Sequence, residues 1–205
     1  MSRTVDYYFS FASPWSFLGH AHVMDVAKRN GVTLRLFPVD PRAVFAESGG
    51  QPIAKRPVVR QRYRLAELQR WGVKRNIAFH THPRFWPFDY VLADLVAVAA
   101  AHHGMADALV PRFYSGVWQR EENLADPHVL FALLEELGLP ARDLLEEAKG
   151  EETEAAYGAN RVRALNAGVF GLPSYVLEGE VFWGQDRIDL LDDALATRRA
   201  PFVPA

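Results

Sequence analysis

Ser13-Pro14-Trp15-Ser16 sets two hydroxyls three residues apart, where an alternating apolar run gives way to an amphipathic segment. Redox motifs of the Cys-x-x-Cys kind hold two sulfurs at this spacing, at a helix N-terminus whose partial positive charge stabilises a thiolate. Here both positions are serine, and the chain contains no cysteine. Any sulfur chemistry must therefore arrive with a ligand. The missing thiols also exclude disulfides, thiolate metal sites, a cysteine nucleophile and thiol-disulfide exchange.

Ser13 has two readings. It is a good helix N-cap, with Pro14 at the first helical position, where a proline N–H is not needed. It is also a hydroxyl donor to an incoming thiolate at the same helix end. A free thiol titrates near pH ~8.5, and a hydrogen bond to a charged group is worth roughly 1.5–3 kcal/mol, or about one to two pKa units. A Ser-His-acid hydrolase is disfavoured, because Phe11-Ala12-Ser13-Pro14 is not a Gly-x-Ser-x-Gly elbow. His80 and His82, two apart on a loop, and His102-His103 at a helix end lack the spacing and third ligand of a metal site, so no metal is expected.

Two further segments carry polar or backbone groups suited to a peptide-like ligand. Pro173 precedes a strand, where a proline most often only terminates a loop; in a thioredoxin architecture this place is held by a cis-proline, and the residue before it, Leu172, can pair through its backbone with an extended peptide. Gly184-Gln185-Asp186-Arg187 opens the last helix. Asp186 can meet an ammonium there, or act only as a first-turn carboxylate, while Gln185 and the helix N–H groups can meet a carboxylate. A tripeptide thiol with a γ-glutamyl end, glutathione, has those groups.

The elements needed to position these residues follow from periodicity. Val5, Tyr7, Phe9 and Phe11 alternate as a first strand, and the helix opened by Ser13 closes near Asn30-Gly31. A second strand runs from Thr33 to Val39 and is stopped by Asp40-Pro41, giving a β-α-β unit with a parallel pair. After a loop from Gly49 to Pro57, helices are expected over 58–71, around Leu92 to Ala99, and around Leu109 to Val117 with Pro111 near its start or at a kink. Others follow from Asp126-Pro127 to Gly138, and over 151–166. Ser174 to Leu177 and Val181 to Trp183 form a hairpin about Glu178-Gly179, and a last helix covers about 186–196. The chain reads as α/β, a thioredoxin-like β-α-β / β-β-α unit from residues 1–42 and 169–205, interrupted by an all-helical insertion over 43–168.

With 205 residues, 49% of them hydrophobic, the chain can bury a sizeable core. A net charge of −2 with scattered basic residues makes no case for nucleic acid or an anionic membrane. The longest apolar stretch, Leu95 to Ala101, is far short of the roughly 20 residues that span a bilayer. The N-terminus lacks the pattern of a secretory signal, so a soluble cytoplasmic protein is expected.

Taken together, the Phe9 to Leu18 segment with Ser13-Pro14, the Trp118 to Asp126 stretch, Gly168 to Pro173 and Gly184 to Arg187 resemble the 2-hydroxychromene-2-carboxylate isomerases and the related kappa-class glutathione transferases. Both belong to the DsbA-like branch of the thioredoxin superfamily, and the match runs over nearly the whole chain. The resemblance implies glutathione as cofactor, with Ser13 holding its sulfur, Leu172 before a cis Pro173 pairing with its backbone, and Gln185 with Asp186 binding its γ-glutamyl end. It implies a homodimer and an isomerase of aromatic catabolism, acting on a small aromatic or unsaturated carboxylate. A kappa-type transferase or peroxidase and a non-catalytic binding protein of the same fold are the alternatives. An asparagine and a lysine that relatives use for glutathione are replaced near Gly50 and near Val59 or Arg60, leaving Arg60 to face the glycyl carboxylate. Phe11, Trp15, Phe85 and Trp86 are expected to wall the acceptor pocket.

Overall fold

In the computed structural model, which describes residues 3–202, the alternation at the N-terminus becomes strand β1 (Thr4–Phe9). Helix α1 (Pro14–Asn30) follows, closed by Gly31 in the left-handed region at φ 64°, and then strand β2 (Thr33–Pro38) lies parallel to β1. At the far end of the chain, β3 (Ser174–Leu177) and β4 (Glu180–Trp183) form a hairpin, and β3 pairs antiparallel with β1, giving the order β2-β1-β3-β4. Chain ends distant in sequence thus share one sheet.

Between them run α2 (Pro41–Ser48), α3 (Val58–Arg75), α4 (Val91–His102), α5 (Ala106–Trp118), α6 (Pro127–Glu136), α7 (Ala141–Glu147) and α8 (Glu151–Asn166). A 3-10 turn (Gln185–Arg187) leads into α9 (Ile188–Thr197). Pro111 sits within α5.

Three local expectations change. Phe11 is not in β1, because the Ser13 N–H bonds back to the Ser10 carbonyl at 3.1 Å and bends the chain after Phe9. Asp40-Pro41 ends a strand but also starts a helix: the Asp40 carboxylate accepts from the Arg42 N–H at 2.8 Å and caps α2. Helix α7 follows Pro140 and buries Ala141, Leu144 and Leu145, a stripe too short to stand out by periodicity.

One apolar core continues from the sheet into the helices, from Val5, Tyr7 and Phe9 through Phe11 to Phe113, Tyr114 and Trp118 of α5. The other face of the sheet, with Tyr8 and Val176, packs against Val44 of α2 and Ala164 of α8. Within the main core His20, 4% exposed, lies against the Tyr7 and Tyr114 rings, and neither ring nitrogen has a hydrogen-bond partner among the described residues. Burial lowers its pKa from 6.5 to about 4.

The folded state therefore keeps His20 neutral where the unfolded chain takes up a proton, so its contribution is present above pH 6.5 and is lost as pH falls toward 4. That loss is worth roughly 3 kcal/mol. Replacing His20→Phe should make the variant gain on the wild type by about this amount across that window, measured by urea unfolding. A stability difference independent of pH would overturn the assignment.

Candidate active site

Helix α1 begins where it does because Ser13 is extended (φ −96°, ψ 112°) and its Oγ accepts from the Ser16 N–H at 3.2 Å. The first turn contains no acidic residue, so the positive end of the helix is not offset by a local carboxylate. A hydroxyl that accepts one bond still has its proton to donate. The cap and an anion donor are thus compatible uses of Ser13, which is half-buried.

The Leu172-Pro173 peptide is cis, and the Pro173 carbonyl accepts from the Gly184 N–H at 2.9 Å, tying this corner to the end of β4. Gly184 has φ 105°, and a Cβ there would stand 2.5 Å from the Asp186 carboxylate. Only glycine suits this bend. Gln185 is 2% exposed and is anchored by Arg75 at the end of α3, whose Nη2 donates to the Gln185 carbonyl (3.0 Å) and whose Nε and Nη2 donate to Oε1 (3.3 and 3.1 Å). The amide oxygen is thereby committed, and the donor Nε2 has no hydrogen bond among the described residues. Asp186 pairs with Arg187 at 2.6 Å. Gly19 lets the 3-10 turn rest on α1, since a Cβ there would lie 2.8 Å from Gln185 Cβ and 2.9 Å from the Tyr175 hydroxyl.

A cavity of about 580 Å³ opens between these segments and α3. Trp15, Leu172, Trp183 and the turn from Gly184 to Arg187 form one side. The other side is a face of α3 with Arg60, Tyr63, Arg64, Glu67 and Trp71, residues three or four apart and so on one side of the helix, and Arg56, just before α3, also lines it. Arginines outnumber carboxylates in this lining, and Glu67 is itself paired with Arg70. Burial, together with the nearby Arg56, lowers the Arg64 pKa to about 10. The Arg64 guanidinium lies 5.7 Å over the Trp86 ring, whose indole N–H donates to the Ala12 carbonyl at 3.0 Å.

Trp15, Arg60, Leu172, Gln185 and Asp186 thus surround one space; Pro173 adjoins Leu172, and Ser13, two residues before Trp15, is not itself among the lining residues. Nor is Phe11: the turn after β1 drives it wholly into the core, edge-on to Phe9 and against Phe113 and Tyr114. Trp86 backs Arg64 instead of lining the cavity, and Phe85 is 38% exposed beside Arg84. His102 and His103 both bond to Glu147, and no group of three His, Cys, Asp or Glu among the described residues is placed to hold a metal ion. Sequence reasoning missed Tyr63, Arg64, Trp71 and Arg75. The first three were open to it, since they share a face with Arg60 on a helix expected over 58–71.

The family model of the DSBA-like thioredoxin domain matches residues 4–196. The 2-hydroxychromene-2-carboxylate isomerase of Sphingobium xenophagum is 30% identical over 198 residues, covering 95% of this chain and 99% of its own. Glutathione S-transferase kappa 1 of Homo sapiens is 25% identical over 224 residues, covering 100% of this chain and 96% of its own. A solved 2-hydroxychromene-2-carboxylate isomerase structure matches with a TM-score of 0.82 at 23% identity, covering 95% of each chain.

Removing the Arg75 anchor leaves the buried Gln185 carbonyl and amide oxygen without their partner. Arg75→Leu should cost about 1–3 kcal/mol in urea unfolding. An unchanged midpoint and slope would show that the 3-10 turn does not depend on it.

Proposed function

The chain belongs to the DsbA-like thioredoxin family and to its 2-hydroxychromene-2-carboxylate isomerase branch, and on that premise we propose that it is a glutathione-dependent isomerase of an aromatic-catabolism intermediate. The reaction would interconvert 2-hydroxychromene-2-carboxylate, or a related unsaturated carboxylate, and the ring-opened trans-o-hydroxybenzylidenepyruvate. The observation that supports this most is the cationic cavity between the start of α1 and the turn from Gly184 to Arg187. Its donor set suits the tripeptide. Arginines complement carboxylates and Asp186 complements an ammonium, while Ser13, two residues before the lining Trp15, offers a capping hydroxyl at an uncompensated helix end, which complements a thiolate.

Bound glutathione would supply the thiolate that adds reversibly to the unsaturated ring and leaves unchanged once the ring has opened and the bond has rotated. Ser13 would donate its O–H to that sulfur while its oxygen keeps the Ser16 N–H, stabilising the anion without becoming covalently attached. Leu172, held by the cis Pro173 corner, would pair with the tripeptide backbone, and Gln185 Nε2 with Asp186 would bind its γ-glutamyl end. Arg60, exposed at the cavity wall, would face the glycyl carboxylate. Trp15 would contribute apolar surface to the acceptor side. In the same reading residues 43–168 are an insertion into a thioredoxin-like unit, supported by a sheet drawn wholly from the two chain ends. The ends of that division, residues 1, 2 and 203–205, lie outside the described residues.

A kappa-type conjugating activity is the second reading, favoured by the full-length similarity to the human transferase. Assaying isomerisation of the chromene against conjugation of a neutral electrophile separates the two. Among the described residues no helix is long and apolar enough to cross a membrane.

Calorimetric titration should detect glutathione binding at or below millimolar concentration. Ser13→Ala should raise the bound thiol pKa by about one to two units and lower turnover near neutral pH by roughly 10- to 100-fold. A thiol pKa unshifted in that variant, read by thiolate absorbance, would reject the role of Ser13.

A further inference from the structure

The cavity holds more cationic groups than its two carboxylates, Glu67 and Asp186, can balance, and its arginines are not equivalent. Arg56 donates through Nε to the Gln51 carbonyl at 2.8 Å, and Arg187 is paired with Asp186. Arg60 is exposed. Arg64 is the more enclosed of the two that follow one another by a single helical turn, and it has no hydrogen bond or ion pair among the described residues. What it has is the Trp86 ring beneath it at 5.7 Å.

That contact places Arg64 relative to the chemistry. Trp86 is fixed by its indole N–H to the carbonyl of Ala12, the residue before Ser13. Arg64 is therefore tied through Trp86 to the segment that carries Ser13, the group proposed to hold the sulfur, whereas Arg60 lies about 6 Å further along the helix toward its start. A substrate attacked by that sulfur has its own carboxylate close to the reacting carbon. A partly desolvated guanidinium is the group that recognises such a carboxylate in two-point fashion, and Trp15 and Tyr63 line the same space with aromatic surface.

We propose that Arg64 is the receptor for the carboxylate of the second substrate, an aromatic or unsaturated carboxylate laid against Trp15 and Tyr63, with Arg60 left for the glycyl end of the tripeptide. This rests on the isomerase reading above and assigns it a specificity-determining residue.

The test uses Arg64→Met, which keeps the chain length over Trp86, and Arg64→Lys, which keeps the charge but loses the fork. Three quantities are measured: KM for 2-hydroxychromene-2-carboxylate, glutathione Kd by calorimetry, and binding of salicylate, an aromatic carboxylate probe, by tryptophan fluorescence without glutathione. Arg64→Met should raise KM and the salicylate Kd at least tenfold and leave the glutathione Kd within twofold. Arg64→Lys should fall between it and the wild type, and should decide the matter if Arg64→Met does not fold. Unchanged KM and salicylate binding would overturn the proposal, as would a loss of glutathione affinity equal to the rise in KM. If the wild type neither binds glutathione nor turns over the chromene, the isomerase reading fails. A salicylate site lost in Arg64→Met would still stand on its own.

Discussion

The Ser16 N–H reaches back to the Ser13 hydroxyl, and that single bond decides where α1 begins. Pro14 enforces the same start, because it has no N–H to offer and its fixed φ suits a first helical position. With the start fixed, Trp15 stands at the cavity, Gly19 presents a bare patch one turn on, and His20 turns inward among Tyr7 and Tyr114. A slip of one residue would rotate each of these by about 100° around the helix axis. The site and the core are therefore set by one register.

The second half of the site arrives from the far end of the chain. The Pro173 carbonyl holds Gly184, Gly184 turns in a conformation closed to other residues, and Gln185 then drops into the notch left by Gly19. Arg75 fastens it from α3. Each of these contacts joins residues more than ten positions apart. The geometry is consequently a property of the closed fold and of no local segment.

Much of the frame was legible because its signals are local. The Ser13-Pro14 cap, the Gly31 and Gly168 stops and the Glu178-Gly179 turn each depend on a few adjacent residues, and all lie where expected. Helix α2 escaped because Asp40-Pro41 ends one element and caps the next, and only Val44 of its residues is buried. Phe11 was misread because alternation continues one step beyond the turn that breaks it. Of the residues named from motifs, Leu172, Gln185 and Asp186 line the cavity and Ser13 does not, and Arg75 could not be found this way. Its role depends on where the end of a long helix meets a turn 110 residues later. Trp86 was named for its aromatic surface, and the fold uses that surface to support a cation.

Helix α3 spans 18 residues yet buries only Leu68 and Gly72, whereas α1 buries nine of its 17. The wall carrying Arg60, Tyr63 and Arg64 is thus the part of the cavity least committed to the core. Exchanging its outward residues forfeits little packing, while the opposite wall is locked into the sheet and the turn after it. Such asymmetry gives the two walls unequal tolerance: a replacement on the α3 face alters the chemistry of the pocket with little loss of stability, whereas a replacement on the opposite wall disturbs the fold together with the pocket.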